Sequence, residues 1–298
     1  MNMKLRANDG SVAAPRLEIQ QAMWSMKCYG TNNKEWSLEE KFNCIAEAGF
    51  TGIFGALPEH GEEPLWRNLL ERNRFTFGLE SFPATGEQLV ELLEKASDYP
   101  VLYVNAQVPN AFCVGKEAIT RLDTLQRVAE RYNLPLFIET HRGRITQDLL
   151  RTVQYVQTLP NLRLTIDLSH YVLAGEMYDF EHIDPYFDEL LQRTSSFHGR
   201  ITNAQQIQIN VGQEADHPMV EHFARWWERG MSYWLEQASP GDILPFVCEI
   251  GHHYMVTDNY LPAYSWLEHF DRWEQSQVIK RIAEKCWSKA ITKSYDGV

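Results

Sequence analysis

Eight short apolar runs recur along the chain, at 17–26, 51–57, 75–81, 100–106, 135–140, 162–168, 196–201 and 243–251, each separated from the next by a longer stretch. Apolar runs of this kind bounded by turn residues read as strands, whereas apolar spacings of three and four read as helix. Alternation of the two implies a parallel sheet with right-handed crossovers. Eight repeats imply closure into a single (β/α)8, or TIM, barrel of the α/β class. No Pro/Gly/Ser-rich linker divides the series, so residues 1–16 read as an N-terminal tail and 17–298 as one catalytic barrel domain. The rival is an open doubly wound sheet. Neither GxGxxG nor GxxxxGK[ST] follows any run, so the phosphate-cradling loops usual in open sheets are missing.

The intervening stretches carry helix signals. Ser37 and Glu40 stand in capping-box spacing at the head of 37–49, which stops at Gly49. In 117–133, Ile119, Leu122, Leu125 and Val128 lie on one broad face. A third helix is expected over 146–160, ending at a proline, and a last one over 265–287.

Charge and composition exclude several functions. A net charge of −12 disagrees with a surface that neutralises nucleic-acid phosphates. No apolar run approaches the ~18 residues needed to span a bilayer, and the opening MNMKLRANDG lacks the apolar core of a secretory signal. Five scattered cysteines without a CxxC pair fit reduced thiols and a cytoplasmic location, and disfavour a thiolate zinc site.

The last four runs share an unusual ending. LFIETHRGR delivers Glu139 and His141, LTIDLSH delivers Asp167 and His170, SFHGR delivers His198 and Arg200, and FVCEIG delivers Glu249. In a barrel these exits lie together at the C-terminal face. Two unpaired carboxylates ~4 Å apart repel by roughly 4 kcal/mol even at an effective dielectric of 20, so three of them need a cation. Arg142, Arg144 and Arg200 could supply it as an ion-pair network. Singly, each acidic residue could also be a helix cap and His198 a core histidine. Four consecutive strand ends with three carboxylates, one imidazole and no thiolate favour a divalent ion, Mn²⁺ first, with Mg²⁺, Co²⁺ or Zn²⁺ as alternatives.

On ET in LFIETHRG, DxxH in IDLSH, HGR in SFHGRI and CEIG, the chain resembles the xylose-isomerase-like TIM-barrel superfamily. That superfamily includes sugar isomerases and epimerases of the tagatose 3-epimerase and hydroxypyruvate isomerase kind, and the endonuclease IV type of AP endonucleases. The resemblance implies that Glu139, Asp167, His198 and Glu249 hold one divalent metal, with His170 and Arg200 binding substrate or supporting the ligands. It also implies acid/base roles for Glu139 and Glu249, while His141 is either a further base or a hydrogen-bond donor to the ligands. The endonuclease branch needs histidines after the third and fourth strands. Those exits read LESFP and VNAQVP, with Glu80 and Gln107 as substrate-binding candidates instead.

The implied activity is isomerisation or epimerisation of a small carbohydrate, sugar phosphate or keto-acid, by proton abstraction next to a carbonyl with the metal stabilising the enediolate. Elimination by a dehydratase or C-glycoside-cleaving lyase is the alternative, and phosphodiester hydrolysis a more distant one. Expected partners are a small-molecule substrate, no nucleic acid and no membrane, with homo-oligomerisation left open. Trp226, Trp227, Trp234 and Tyr254 either wall a sugar site or, as the preferred reading, bury a helix against the barrel.

Overall fold

The structure, a computed structural model, describes residues 4–31, 34–251 and 270–296. Its strands are β1 (Ala7–Asn8), β2 (Arg16–Ala22), β3 (Gly30–Thr31), β4 (Lys34–Glu35), β5 (Gly52–Gly55), β6 (Thr76–Ser81), β7 (Val101–Ala106), β8 (Leu136–Glu139), β9 (Leu164–Ile166), β10 (Thr194–Gly199) and β11 (Asp242–Cys248). Eight of them, β2 and β5 to β11, are parallel neighbours in chain order, and β11 pairs back onto β2 to close the barrel. The two-residue β1 lies antiparallel against β11. The short hairpin β3–β4 stands apart from the barrel sheet.

Nine described helices cover the outside: α1 (Leu38–Glu47), α2 (Glu63–Asn73), α3 (Gly86–Ala96), α4 (Gly115–Arg131), α5 (Leu149–Thr158), α6 (Ser169–Ala174), α7 (Asp184–Leu191), α8 (Met219–Leu235) and α9 (Arg272–Asp296). The capping box of α1 forms as expected, Glu40 N–H donating to Ser37 and Ser37 N–H to the Glu40 carboxylate. The expected helix over 146–160 starts later, because the Thr146 hydroxyl is taken by the Glu139 carbonyl at 2.5 Å and Asp148 caps the Arg151 N–H instead. Residues 23–26, expected as the end of the first strand, form a 3-10 turn after β2. The last helix begins at Arg272 and runs to Asp296, past the expected 287; residues 265–269 lie outside the described residues.

The barrel interior is filled by the rings of Phe54, Tyr103 and Phe137 from β5, β7 and β8, with Tyr103 5.2 Å from Phe137 and 6.5 Å from Phe54. Close packing of such side chains makes the interior a core rather than a pore. The tryptophans of α8 do not wall a site. Trp226, Trp227 and Trp234 are buried, Trp227 meeting Phe246 of β11 edge-on at 5.0 Å and Trp226 donating to Asp184 of α7 at 2.8 Å. Tyr254 lies outside the described residues. No described helix is long and apolar enough to cross a membrane.

Candidate metal centre

Parallel strands all leave the barrel at the same face, so the residues that end β8, β9, β10 and β11 meet there. Glu139 is the last residue of β8, Asp167 follows β9, His198 is in β10 and Glu249 follows β11. All four are buried, and each offers one ligand atom such that the set lies within 4.8 Å of one another. The His198 ring packs edge-on over Phe54 at 4.8 Å, so the interior aromatics form the floor of the site.

Several of these atoms lack a hydrogen-bond partner. Glu139 Oε1, Glu249 Oε2 and both ring nitrogens of His198 are buried without one. His198 Nδ1 approaches Glu249 Oε2 at 2.6 Å and Glu139 Oε2 at 3.6 Å, close in distance but not aligned for hydrogen bonding. Buried polar atoms are seldom left so, because each orphan costs about 1–3 kcal/mol. Three carboxylate oxygens and an imidazole nitrogen converging without bonds to one another are a donor set that fits a divalent cation of hard to borderline character.

The surrounding contacts fix those donors. Asn105, at the end of β7, donates to Glu139 Oε2 at 2.6 Å. Asp167 Oδ1 accepts from the Ser169 N–H at 2.9 Å and its hydroxyl at 2.5 Å, an ordinary first-turn contact for α6. This leaves Oδ2 for Arg200 Nη2 at 2.7 Å. Arg200 also reaches Glu249 Oε1 at 3.3 Å. The ion-pair alternative is thus partly realised, but by one buried guanidinium among three carboxylates. Arg142 goes to His170 and Arg144 to Gln107 rather than to the carboxylates.

Electrostatics follow from this crowding. Burial opposes ionisation of Glu139, yet His198, His141 and Asn105 outweigh it and hold its pKa down to about 2. Burial likewise works against the Glu249 anion, and Arg200 and His198 overcome it to lower its pKa. Asp167 goes the other way: burial, reinforced by Glu249 and only partly offset by Arg200, raises it to about 6. For His198 burial favours the neutral ring, but Glu139 and Glu249 raise its pKa well above the usual value. A proton held on His198 by these glutamates offsets part of the negative charge of the three carboxylates.

A second grouping, Glu139 with His141 and His170, is less suited to a cation. Both ring nitrogens of His170 lie against guanidinium groups, Nδ1 at 2.7 Å from Arg142 Nη1 and Nε2 at 2.8 Å from Arg200 Nη2. Burial and Arg200 lower its pKa far below the ordinary histidine value. His141 Nδ1 lies against the Arg142 carbonyl, an acceptor only, so Nδ1 carries the proton and Nε2 has the lone pair. Burial, then Arg200, lowers the His141 pKa and keeps the ring neutral.

The sequence candidates thus assemble with few exceptions. Glu80 is the partly buried penultimate residue of β6, where burial and the charges of Glu139 and Glu249 push its carboxyl up to about 7. Gln107 is buried one residue beyond β7, where its carbonyl oxygen accepts from Arg144 Nε at 3.1 Å. From the sequence, Asn105 stands out at the VNAQVP exit but receives no role, and Gln208 is not singled out. Asn105 stands at a strand exit like the others, a signal that was there to use. Gln208 closes two hydrogen bonds with the backbone of Gly251, two residues beyond Glu249, at 2.7 and 2.9 Å; nothing local in its loop foretells that.

No family model and no curated protein matches the chain. Solved structures do, and the fold they share with it is the TIM barrel. A xylose isomerase-like TIM barrel protein from Mycobacterium smegmatis in complex with magnesium aligns with 92% of this chain and 97% of its own, at 13% identity and a TM-score of 0.59. A xylose isomerase domain protein from Planctomyces limnophilus covers 94% and 99%, at 10% identity and a TM-score of 0.53. A probable 3-DHS dehydratase involved in petrobactin synthesis, from Bacillus anthracis, covers 79% of this chain and 93% of its own at 14% identity and a TM-score of 0.54. Similarity at these identities establishes the fold, not the reaction.

Proposed function

We propose that the chain is a divalent-metal-dependent enzyme that moves a proton at a carbon next to a carbonyl of a small carbohydrate or keto-acid, as an isomerase or epimerase. The observation that carries this reading is the convergence of Glu139, Asp167, His198 and Glu249, buried and within 4.8 Å of one another, with ligand atoms of Glu139, His198 and Glu249 left unbonded. These four would hold the ion, Mn²⁺ by preference, and magnesium in the M. smegmatis neighbour accords with a hard divalent ion at such a site. When bound, the ion supplies Lewis-acid stabilisation of negative charge developing on substrate oxygens.

The remaining work falls to side chains. Glu139 and Glu249 approach from β8 and β11, so a substrate lying between them has a carboxylate on either side for removing and returning a proton. His141 offers a neutral Nε2 lone pair beside Glu139, suited to accept a proton near neutral pH. Arg200 keeps Asp167 and Glu249 ionised and His170 keeps Arg200 in place. Glu80 and Gln107 line the same mouth from β6 and β7 and are assigned to substrate binding together with His170 and Arg200. A cytoplasmic setting agrees with five cysteines that are all free.

Elimination is the second reading, and His141 is what favours it. Epimerisation needs two proton-handling groups, whereas elimination must also protonate the leaving group, and His141, once its Nε2 has taken the substrate proton, is an imidazolium that can hand that proton to the leaving group. The test is to incubate metal-loaded protein in D₂O with ketoses, keto-acids and 3-oxo-glycosides and follow deuterium incorporation by NMR. Exchange at a carbon next to the carbonyl, lost in Glu249→Gln with the fold intact, is expected. Exchange unaffected by that substitution contradicts the reading, and release of a β-substituent selects elimination.

A further inference from the structure

We infer that the substrate carries a carboxylate and that Arg144 is the residue that recognises it. This deepens the function proposed above and rests on it for the identity of the site.

Arg144 sits in the short loop after β8, five residues beyond Glu139, and every contact it makes fixes the direction of its guanidinium. The loop is held by the Arg144 N–H donating to the His141 carbonyl at 3.3 Å, and by the His141 N–H donating to the Thr146 hydroxyl at 3.2 Å. Gly143 takes a φ of +74°, a left-handed turn open to glycine, which lets the loop double back over the barrel mouth. Nε then donates to Gln107 Oε1 at 3.1 Å, and the guanidinium lies over the Phe82 ring with its carbon 5.5 Å from the ring centroid. Gln107 is itself buried and tied to the β6 exit by its N–H to the Ser81 carbonyl at 2.9 Å.

One edge of the guanidinium and one face are therefore used. The Nη1/Nη2 edge has no carboxylate partner among the described residues. A guanidinium fork matches a carboxylate in two parallel N–H···O bonds. The chain has carboxylates to spare, with 40 acidic residues against 28 Lys and Arg, and arginines on its helices such as Arg121 and Arg127 find them. An oriented arginine at the active-site mouth without one is placed for an anion that arrives from outside.

Its setting selects among anions. Arg144 acts on the Glu80 carboxyl, which also feels Glu139 and Glu249, so the guanidinium shares one electrostatic environment with the metal ligands. A dianionic phosphate brought to a single guanidinium beside those carboxyl groups meets twice the repulsion of a carboxylate, and it would call for further donors. A monoanion is the better match. The substrate class is a sugar acid or hydroxy-keto-acid, with neighbouring oxygens toward the ion and the carboxylate toward Arg144.

The test uses binding, so that it reads separately from turnover. Mg²⁺-loaded full-length protein is titrated by ligand-observed NMR with matched pairs: hydroxypyruvate against dihydroxyacetone, and galacturonate against galactose. Arg144→Gln is expected to weaken binding of at least one acid by about tenfold or more, the usual weight of a charge-assisted pair, while leaving neutral partners and metal content unchanged. Arg144→Lys should restore part of the loss, and Gln107→Ala should reproduce part of it should the Arg144 variants not fold. Acids that bind no better than their neutral partners, or an acid preference that survives Arg144→Gln, overturn the inference. So does an Arg144-dependent preference for dihydroxyacetone phosphate over hydroxypyruvate. Arg144-dependent acid binding without deuterium exchange would remove the proton-transfer reading and leave this one standing; exchange confined to neutral sugars would do the reverse.

Discussion

Metal uptake at this site should release protons, in a number that the structure sets. In the metal-free protein near pH 7, Glu139 and Glu249 are ionised, because neighbouring positive groups outweigh the effect of burial. Asp167, raised to about 6, is mostly ionised at that pH. His198 carries a proton, held there by the two glutamates. A cation needs the neutral imidazole, so binding must expel that proton. His198 yields about one proton per ion near pH 7, Glu80, pushed up to about 7 by burial and the neighbouring glutamates, adds a fraction of another, and the total grows below pH 6 as Asp167 also becomes protonated in the free protein. The sign follows: affinity rises with pH, by about 1.4 kcal/mol per pH unit per proton released, and levels off once the pH exceeds the pKa of His198 in the free protein. Titration calorimetry of the chelator-stripped protein with Mn²⁺, in PIPES and in Tris, reads the proton count from the difference in apparent enthalpy. His198→Asn should bind more weakly and release fewer protons near pH 7 than the unaltered protein. No proton released by the unaltered protein at that pH would refute the assignment of His198 as the group that yields its proton to the ion.

Other perturbations separate scaffold from site. Arg200→Leu leaves Asp167 buried without its guanidinium partner at 2.7 Å, and should destabilise the metal-free protein by about 3–5 kcal/mol in denaturant unfolding; a loss near zero would mean that the pair is not buried in solution. Trp227→Ala removes the ring that meets Phe246, and should cost about 3–5 kcal/mol while metal stoichiometry stays unchanged. Lost metal binding in a folded Trp227→Ala protein would contradict the purely structural role given to α8. Gly199→Ala in β10 would place a Cβ 2.3 Å from Phe246 Cε1 and 2.8 Å from Ile279 Cγ2, so overpacking of about 1–3 kcal/mol is expected from thermal unfolding, and an unchanged melting temperature would count against this packing.

The barrel was legible because each of its strands is a short apolar run, and alternation with helices leaves few topologies open. The ends of elements were less so. Residues 23–26 continue the apolar pattern of β2 but leave the sheet, where the Ser25 hydroxyl turns back to the Ala22 carbonyl at 2.7 Å. Helix α3 shows its face through Leu89, Leu93 and Ala96, yet was not singled out, whereas α6 is six residues long and carries too little periodicity to be read. The candidate site followed a simple rule, an acidic or imidazole side chain at the exit of an apolar strand, and that rule singled out Glu139, Asp167, His198 and Glu249, which the structure brings within 4.8 Å of one another. It could not say which way each arginine turns. Arg200 entering the carboxylates, Arg142 turning to His170 and Arg144 to Gln107 depend on loop geometry set by contacts between strands distant in sequence.

The central claim is that four side chains from four consecutive strands hold a single divalent ion. Elemental analysis of protein stripped with chelator, reloaded with Mn²⁺ and freed of excess tests it most directly. The account predicts one ion per chain, falling to near zero when Asp167→Asn and His198→Asn are combined in a protein that still folds. Retention of a full equivalent by that double variant, or more than one tightly held ion in the unaltered chain, would contradict it.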